Sequence, residues 1–275
     1  MARIRQPAVA GMFYDGDPAA LRDHVDLLLR QAHGVEHQGT IVGLVSPHAG
    51  YMYSGLAAAA GYRALKGVSF DVVFLVGPSH REFFTGASMY PGDAYRTPLG
   101  DVLLNVEARA SLAAESGCLK LSEAGHRSEH SLEVQLPFLQ RVLGSFTIVP
   151  IVIGDQTPEA CFEVGRALAK VARDYRALLV ASSDLSHFHP YDDAVLLDRR
   201  VIDSVESFDE KEMMNLLADE QLEACGGGPV VSVMLASKLL GANRSQALYY
   251  CNSGDVTGDK KGVVGYLSAA FLRSN

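Results

Sequence analysis

Five consecutive apolar residues, Val72 to Val76, run straight into Gly77, Pro78, Ser79 and His80. The run is too short for a helix, and its β-branched content suits a strand buried on both faces. Gly77 and Pro78 then end it. The same grammar occurs three more times. Thr40 to Val45 leads into Ser46, Pro47 and His48; Ala177 to Val180 leads into Ser182, Ser183, Asp184 and His187; Leu248 to Tyr250 leads into Cys251, Asn252, Ser253, Gly254 and Asp255. Strands buried on both faces belong to parallel sheets covered by helices, and in open sheets of that kind ligands bind at the strands' C-terminal edge. If these strands are neighbours, His48, His80, His187 and Cys251 converge on one crevice. The expectation is a metal site with an acid–base histidine beside it.

Helical patterns fill the spaces between the strands. Asp17 and Pro18 form an N-cap and first helical residue, and Leu21, Val25, Leu28 and Leu29 make a buried stripe to about residue 32. Ser54 caps a predicted helix through Lys66, whose alanines at 57 to 60 allow close packing on the sheet. Asn105 caps another, to Ser116. His130, Val134, Phe138 and Leu143 suggest a helix bent at Pro137, and Thr157-Pro158 opens one that reaches about Arg173. Tyr191 to Asp219 reads as two helices broken near Phe208, and the glycines at 226 to 228 with Pro229 open a third. That glycine run lacks the lysine of a phosphate loop and a preceding strand, so it reads as a flexible turn. Ala87 to Tyr90 and Ala94 to Thr97, split by Pro91-Gly92-Asp93, read as a hairpin. Phe146 to Ile153 is an apolar strand placed at an edge or bulge by Pro150. Gly262 to Leu272 is a last strand.

No repeat or composition break divides residues 1–275. Strands alternate with helices throughout, which predicts a single three-layer α/β domain with a mostly parallel central sheet and helices on both faces. The net charge is −8, and no Lys/Arg cluster stands out, which argues against a nucleic-acid surface or a polybasic membrane patch. No apolar stretch approaches the ~20 residues of a membrane span, and the N-terminus lacks a secretory apolar core. The expected location is the cytoplasm.

The chemistry-bearing residues come from distant segments, so spacing alone identifies nothing. Their shared context at strand ends carries the weight. Two imidazoles and one anionic side chain are the minimal set that leaves open positions on a metal. A thiolate is softer than the carboxylate of the Fe(II) facial triad, so iron, copper and zinc all stay open. Asp184, three residues before His187, suits an orienting carboxylate; the plainer reading is an Asx turn. Glu129 and His130 suit either a pocket wall or an ordinary helix start. His24, His33 and His37 lack the strand-end context and read as surface residues. Of the four cysteines, none forms a C-x-x-C pair, and Cys118 and Cys161 read as core filling.

PAVAGMFY at 7–14, SPHAGYMYSG at 46–55, GPSH at 77–80, EHSLEVQLPFL at 129–139, SSDLSH at 182–187 and YYCNSGD at 249–255 together resemble the Memo family over nearly the whole chain. The resemblance extends to a prokaryotic Memo-type protein, the B protein of the AmmeMemoRadiSam system, associated with AMMECR-like and radical SAM partners. It implies a fold like the catalytic subunit of class III extradiol ring-cleavage (LigB-like) dioxygenases, which use non-haem iron. It further implies metal ligation by His48, His80 and Cys251, with Asp184 and His187 lining the same pocket. Tyr53 and Phe13 match positions where the family has pocket aromatics. Cys251 stands where the extradiol enzymes carry a glutamate, a departure from the dioxygenase pattern.

The expected function is therefore that of a metal-binding oxidoreductase. Fe(II) is the first candidate metal, with Cu or Zn as alternatives. Asp184 and His187 are assigned catalytic roles, and Tyr53, Phe13, His130 and Glu129 contact a small-molecule or peptide ligand. The competing class is a non-catalytic metal-binding or adaptor protein gripping a peptide or partner protein. A hydrolase built on Ser183 or Cys251 with His187 is weaker, since no G-x-S-x-G elbow is present.

Overall fold

The computed structural model describes residues 2–33 and 36–274. In chain order the first half comprises β1 (Ile4–Arg5), α1 (Pro18–Gln31), β2 (Thr40–Ser46), α2 (Tyr51–Arg63), β3 (Val72–Pro78), β4 (Ala87–Met89), β5 (Ala94–Thr97), β6 (Gly100–Leu103), α3 (Val106–Glu115) and β7 (Leu119–Leu121). The second half comprises α4 (Leu136–Val142), β8 (Thr147–Ile153), α5 (Pro158–Ala172), β9 (Ala177–Ser182), β10 (Asp184–His189), α6 (Tyr191–Ser207), α7 (Glu210–Ala218), α8 (Gly227–Leu239), β11 (Arg244–Asn252), α9 (Ser253–Thr257) and β12 (Val263–Arg273).

The expected α/β architecture is present. Strands β2, β9, β3 and β8 lie side by side and parallel at the centre of a nine-stranded sheet. Antiparallel strands flank them, with β12 beside β2 and β4 beside β8. Burial explains the apolar runs. Val72, Phe74 and Val76 pack on one face with α5 and α8, while Val73 and Leu75 pack on the other with α1, α2 and α4. Each face is thus covered by helices, and the alternation that marks a half-exposed strand is absent. No helix among the described residues is long and apolar enough to cross a membrane.

Several local expectations change. The segments 87–90 and 94–97 do not form a hairpin. β4 joins the main sheet, whereas β5 pairs with β1 and β6 in a separate three-stranded sheet. Arg109 takes the carbonyls of Tyr90 and Gly92 at 2.6 and 2.7 Å, and Asp93 N–H donates to Arg3 O, so the chain is drawn away from the turn. Pro137 does not bend a helix but starts α4, after a 3-10 turn at Glu133–Gln135. The α2 cap is Gly50, and Ser54 instead donates to Ala49 O. Pro150 lies within the sheet, paired with Leu75 of β3. β4 reaches only Ile151 to Ile153 and Leu104 bridges Ile148, so no strand requires the missing N–H on that side.

Residues 184–189, for which the sequence suggests no strand, form β10. It runs antiparallel to β12, with register shifts on both sides of His187. β12 carries β11 along one edge; β2 and β10 share its other edge, at residues 269–273 and 263–266 respectively. This arrangement decides where Cys251 can reach.

Candidate metal centre

Three segments bring His48, His80 and Cys225 together at the C-terminal edge of the central strands. One donor atom from each lies within 4.8 Å of the others. Of the three residues expected to converge, His48 and His80 are brought together, and the sulfur beside them is that of Cys225 and not of Cys251. Cys251 is the Cα partner of Tyr266 on β12, and Tyr266 in turn pairs with Asp184 on its other edge. β12 thus stands between Cys251 and the histidines. Two strand spacings, about 10 Å, separate the β10 and β11 backbones there, and Cys251 is buried against Ala57 and Tyr266. It belongs to neither cluster of metal-ligand type found among the described residues.

Cys225 arrives from the turn before α8. Its N–H donates to Asp184 O, and Gln156 Nε2 donates to its carbonyl at 2.7 Å. The next residue must be glycine, because a Cβ on Gly226 would sit 2.2 Å from Ser182 O. The glycine run is therefore a close-approach device that presses the cysteine against the end of β9. A cysteine directly before three glycines was the available sequence signal.

The ring orientations suit metal ligation. Ser182 Oγ donates to Ser131 O at 2.6 Å, so it accepts from His48 Nδ1 at 2.9 Å. This leaves the Nε2 lone pair of His48 facing Cys225 Sγ at 3.1 Å. His80 Nδ1 meets Glu129 Oε1 at 2.9 Å, which leaves its Nε2 free in the same way. Glu129 is 3% exposed and also accepts the N–H groups of His80, His130 and Ser131. Burial alone would raise its carboxyl, but the hydrogen bonds from His80 and Ser131 outweigh that and hold it at about 2. A second cluster, His80, Glu129 and His130, shares His80 with the first. With its oxygens engaged by four N–H groups, Glu129 is an orienting residue in it.

Of the expected pocket residues, His130, Phe13 and Asp184 gather about these side chains, whereas Tyr53 does not. The His130 ring stacks on His80 at 4.9 Å and meets Phe13 edge-on at 4.8 Å. Burial lowers His130 to about 4 and drives His48 well below the usual imidazole value, with His80 adding to the effect on each. Both rings are therefore neutral near pH 7. Asp184 accepts His48 N–H at 2.7 Å, and its other oxygen is 3.9 Å from His48 Nε2. Burial raises Asp184 to about 7. His187 is also lowered by burial, and its backbone N–H is held by Glu223 at 2.8 Å. It lines a recess of about 420 Å³ together with Cys225, Glu223, Met214 and Leu217. Tyr53, in the first turn of α2, lines a different recess, with Phe188 and Tyr266.

Phe13 is placed by an anchored N-terminal segment. Buried Glu133 accepts from Arg5, Ala8 N, Val9 N and Tyr14 Oη, and Phe13 O accepts Tyr51 N. The segment 7–14 therefore reaches the site through one buried carboxylate. Among the surface assignments, His24 is half-buried and bonded to Asp15 at 2.8 Å.

The Memo-like protein family profile matches residues 5–270. A MEMO1 family protein of Methanothermobacter thermautotrophicus is 40% identical over 273 residues, covering 96% of this chain and 98% of its own. One from Methanosarcina mazei is 40% identical over 267 residues, covering 96% and 97%. An uncharacterized Escherichia coli K12 protein of known crystal structure superposes with a TM-score of 0.58 at 16% identity, over 84% of this chain and all of that one, a likeness of fold alone. With its motifs in order along nearly its full length, the chain belongs to the Memo family.

Proposed function

We propose that the protein is a metal-dependent oxidoreductase whose ion is held by His48, His80 and Cys225. The observation that carries this reading is the convergence of three donor atoms, within 4.8 Å of one another, from parts of the chain as far apart as residues 48 and 225. The donor set fits a borderline or soft divalent ion: two neutral imidazoles and a sulfur. The Cys225 thiol is pushed up by burial and by Asp184, so without a cation it stays protonated, and metal binding would release its proton. Non-haem Fe(II) is the first candidate, with Cu or Zn as alternatives. Such an ion would supply Lewis acidity and, if iron or copper, redox capacity.

The chain's own groups would handle protons. His187, which burial keeps neutral near pH 7, would take a proton from a substrate hydroxyl and return it. Asp184 is raised by burial to about 7 without a cation; an ion beside His48 would hold it ionised, as an acceptor in the same exchange. His130 and Phe13 form an aromatic wall for a small substrate. An extradiol-type reaction on a diol is the specific version of this proposal.

The test is metal analysis of anaerobically purified protein beside His48→Ala, His80→Ala and Cys225→Ala, followed by O2 uptake with a panel of phenols and catechols. His187→Ala is expected to keep metal and lose turnover. No O2 uptake by the ferrous protein across the panel would reject the dioxygenase version.

A second reading has one observation in its favour. Met12, Met52 and Phe83 are 73%, 65% and 86% exposed, and each follows or precedes a site residue within three positions. Such a rim suits an adaptor or metal carrier gripping a peptide or partner protein, for which AMMECR-like and radical SAM proteins are the proposed candidates. Tight metal binding without turnover would favour it.

A further inference from the structure

Three non-glycine residues among those described have positive φ: Phe188, Phe208 and Glu220. Two have ordinary explanations. Phe208 ends α6 as its left-handed C-cap and packs on Phe271, and Glu220 follows α7. Phe188 lies inside a strand, at φ 62°, with a ring that is 77% exposed. The backbone strain is therefore not offset by burial of the side chain. Strained residues with no packing benefit are found where a site requires the geometry.

The strain is actively held. Glu223 accepts His187 N–H at 2.8 Å through one oxygen and bonds His189 Nε2 at 2.7 Å through the other, bracketing Phe188 on both sides. The β10–β12 register also shifts on both sides of His187. These features turn Phe188 away from the run of the strand and onto a recess of about 410 Å³ walled by Tyr53, Tyr266 and Val264.

The recess is separate from the one that His187 and Cys225 line, but its walls adjoin the same strands and helix. Tyr266 is the Cα partner of Asp184, and Asp184 holds the His48 backbone. Tyr53 lies in the first turn of the helix that begins three residues after His48. Phe188 itself follows His187, with their rings 5.8 Å apart. A ligand with one end at His187 could therefore lay a flat group on Phe188.

We infer that Tyr53, Phe188 and Tyr266 form a subsite for a neutral planar aromatic group of the substrate, with Phe188 as its stacking platform. The subsite deepens the oxidoreductase reading and rests on it for the identity of the ligand as a substrate. Phe188 offers an open face to a flat ring, half-buried Tyr53 stands at the wall and buried Tyr266 lies beneath, and a bound arene would bury the Phe188 ring that now faces water. Phe188 is a positioning and specificity residue; the proton chemistry remains with His187 and Asp184.

The chain has 11 tyrosines and no tryptophan, so indole emission can be excited apart from the protein. The experiment is an anisotropy titration of indole with full-length protein, using wild type, Phe188→Gly and Phe188→Tyr. Glycine removes both the ring and the strain, so Phe188→Gly is expected to melt no lower than wild type. It is expected to bind indole about tenfold or more weakly, while Phe188→Tyr stays within about threefold of wild type. Equal indole binding by wild type and Phe188→Gly, no binding by wild type, or a lower melting temperature in Phe188→Gly would each overturn the subsite. Metal uptake measured on the same samples keeps the two readings apart. Indole binding without metal uptake would remove the oxidoreductase reading and leave an aromatic subsite, whereas metal uptake without indole binding would remove the subsite alone.

Discussion

The Sγ of Cys225 lies 3.1 Å from Nε2 of His48, although 177 positions separate them in the chain. Cys251, at the end of an apolar strand, is turned instead toward Ala57 and Tyr266. Replacing each cysteine by alanine therefore has opposite expected results. Cys225→Ala loses most of the bound metal, because a metal site with only two neutral imidazoles has neither charge compensation nor a soft donor. Cys251→Ala keeps the metal content of wild type and loses about 1 kcal/mol of stability from a small packing defect. Elemental analysis of anaerobic preparations, with thermal melts, checks both. Equal metal loss in the two variants would return Cys251 to the ligand set.

Much of the site was legible in the sequence. His48 and His80 follow β2 and β3 directly, and those strands are neighbours of β9 in the parallel core. Apolar run, break and polar side chain encode that placement locally. Cys225 follows a different logic. It precedes a helix, and its position depends on Gly226 passing within contact of Ser182 O, which only a three-dimensional approach reveals. β10 was missed because its bulges interrupt the alternation that marks an antiparallel strand. The false hairpin at 87–97 had the right turn residues, but β1 and Arg109, both distant in sequence, supplied stronger partners.

The glycine that seats Cys225 yields a second prediction. A Cβ at Gly226 would meet Ser182 O at 2.2 Å and Ser183 Cβ at 2.8 Å. Neither atom is the far end of a flexible side chain, so backbone must move. Gly226→Ala is expected to cost about 1–3 kcal/mol and to lower metal affinity by shifting the cysteine. A chelator competition and a denaturant melt test this. Gly117, where an added Cβ meets nothing within 4 Å, provides the control: Gly117→Ala should leave metal affinity unchanged.

Glu129 fixes His80 through both its side chain and its backbone N–H. Glu129→Gln offers one acceptor oxygen where two now serve, and turns an NH2 group toward existing donors. Orienting partners of this kind affect metal affinity by about 10–100-fold when removed. The expected outcome is a loss in that range, with the variant still folded at neutral pH. Titration against a competing chelator measures it. Unchanged affinity would mean that His80 does not need its carboxylate partner.

Buried histidine His126, outside the candidate metal centre, is expected to make the fold sensitive to acid. His126 is 1% exposed; its Nε2–H donates to Ser88 O at 3.2 Å, and its Nδ1 accepts Tyr95 Oη–H at 2.5 Å. Protonation would put a proton against that hydroxyl hydrogen and a second cation near Arg5, whose Nε donates to the His126 carbonyl. Burial lowers His126 from 6.5 to about 3. The unfolded chain therefore binds a proton at a higher pH than the folded one. The stability held by the neutral ring is fully present above about pH 6.5 and is lost as pH falls toward 3, reaching roughly 3 kcal/mol at pH 4. His126→Gln, which cannot titrate, should be less stable than wild type at pH 7, and the gap should narrow progressively between pH 6.5 and pH 4. Urea melts at half-unit steps would show the convergence. Parallel curves for the two proteins would assign the acid loss to other groups.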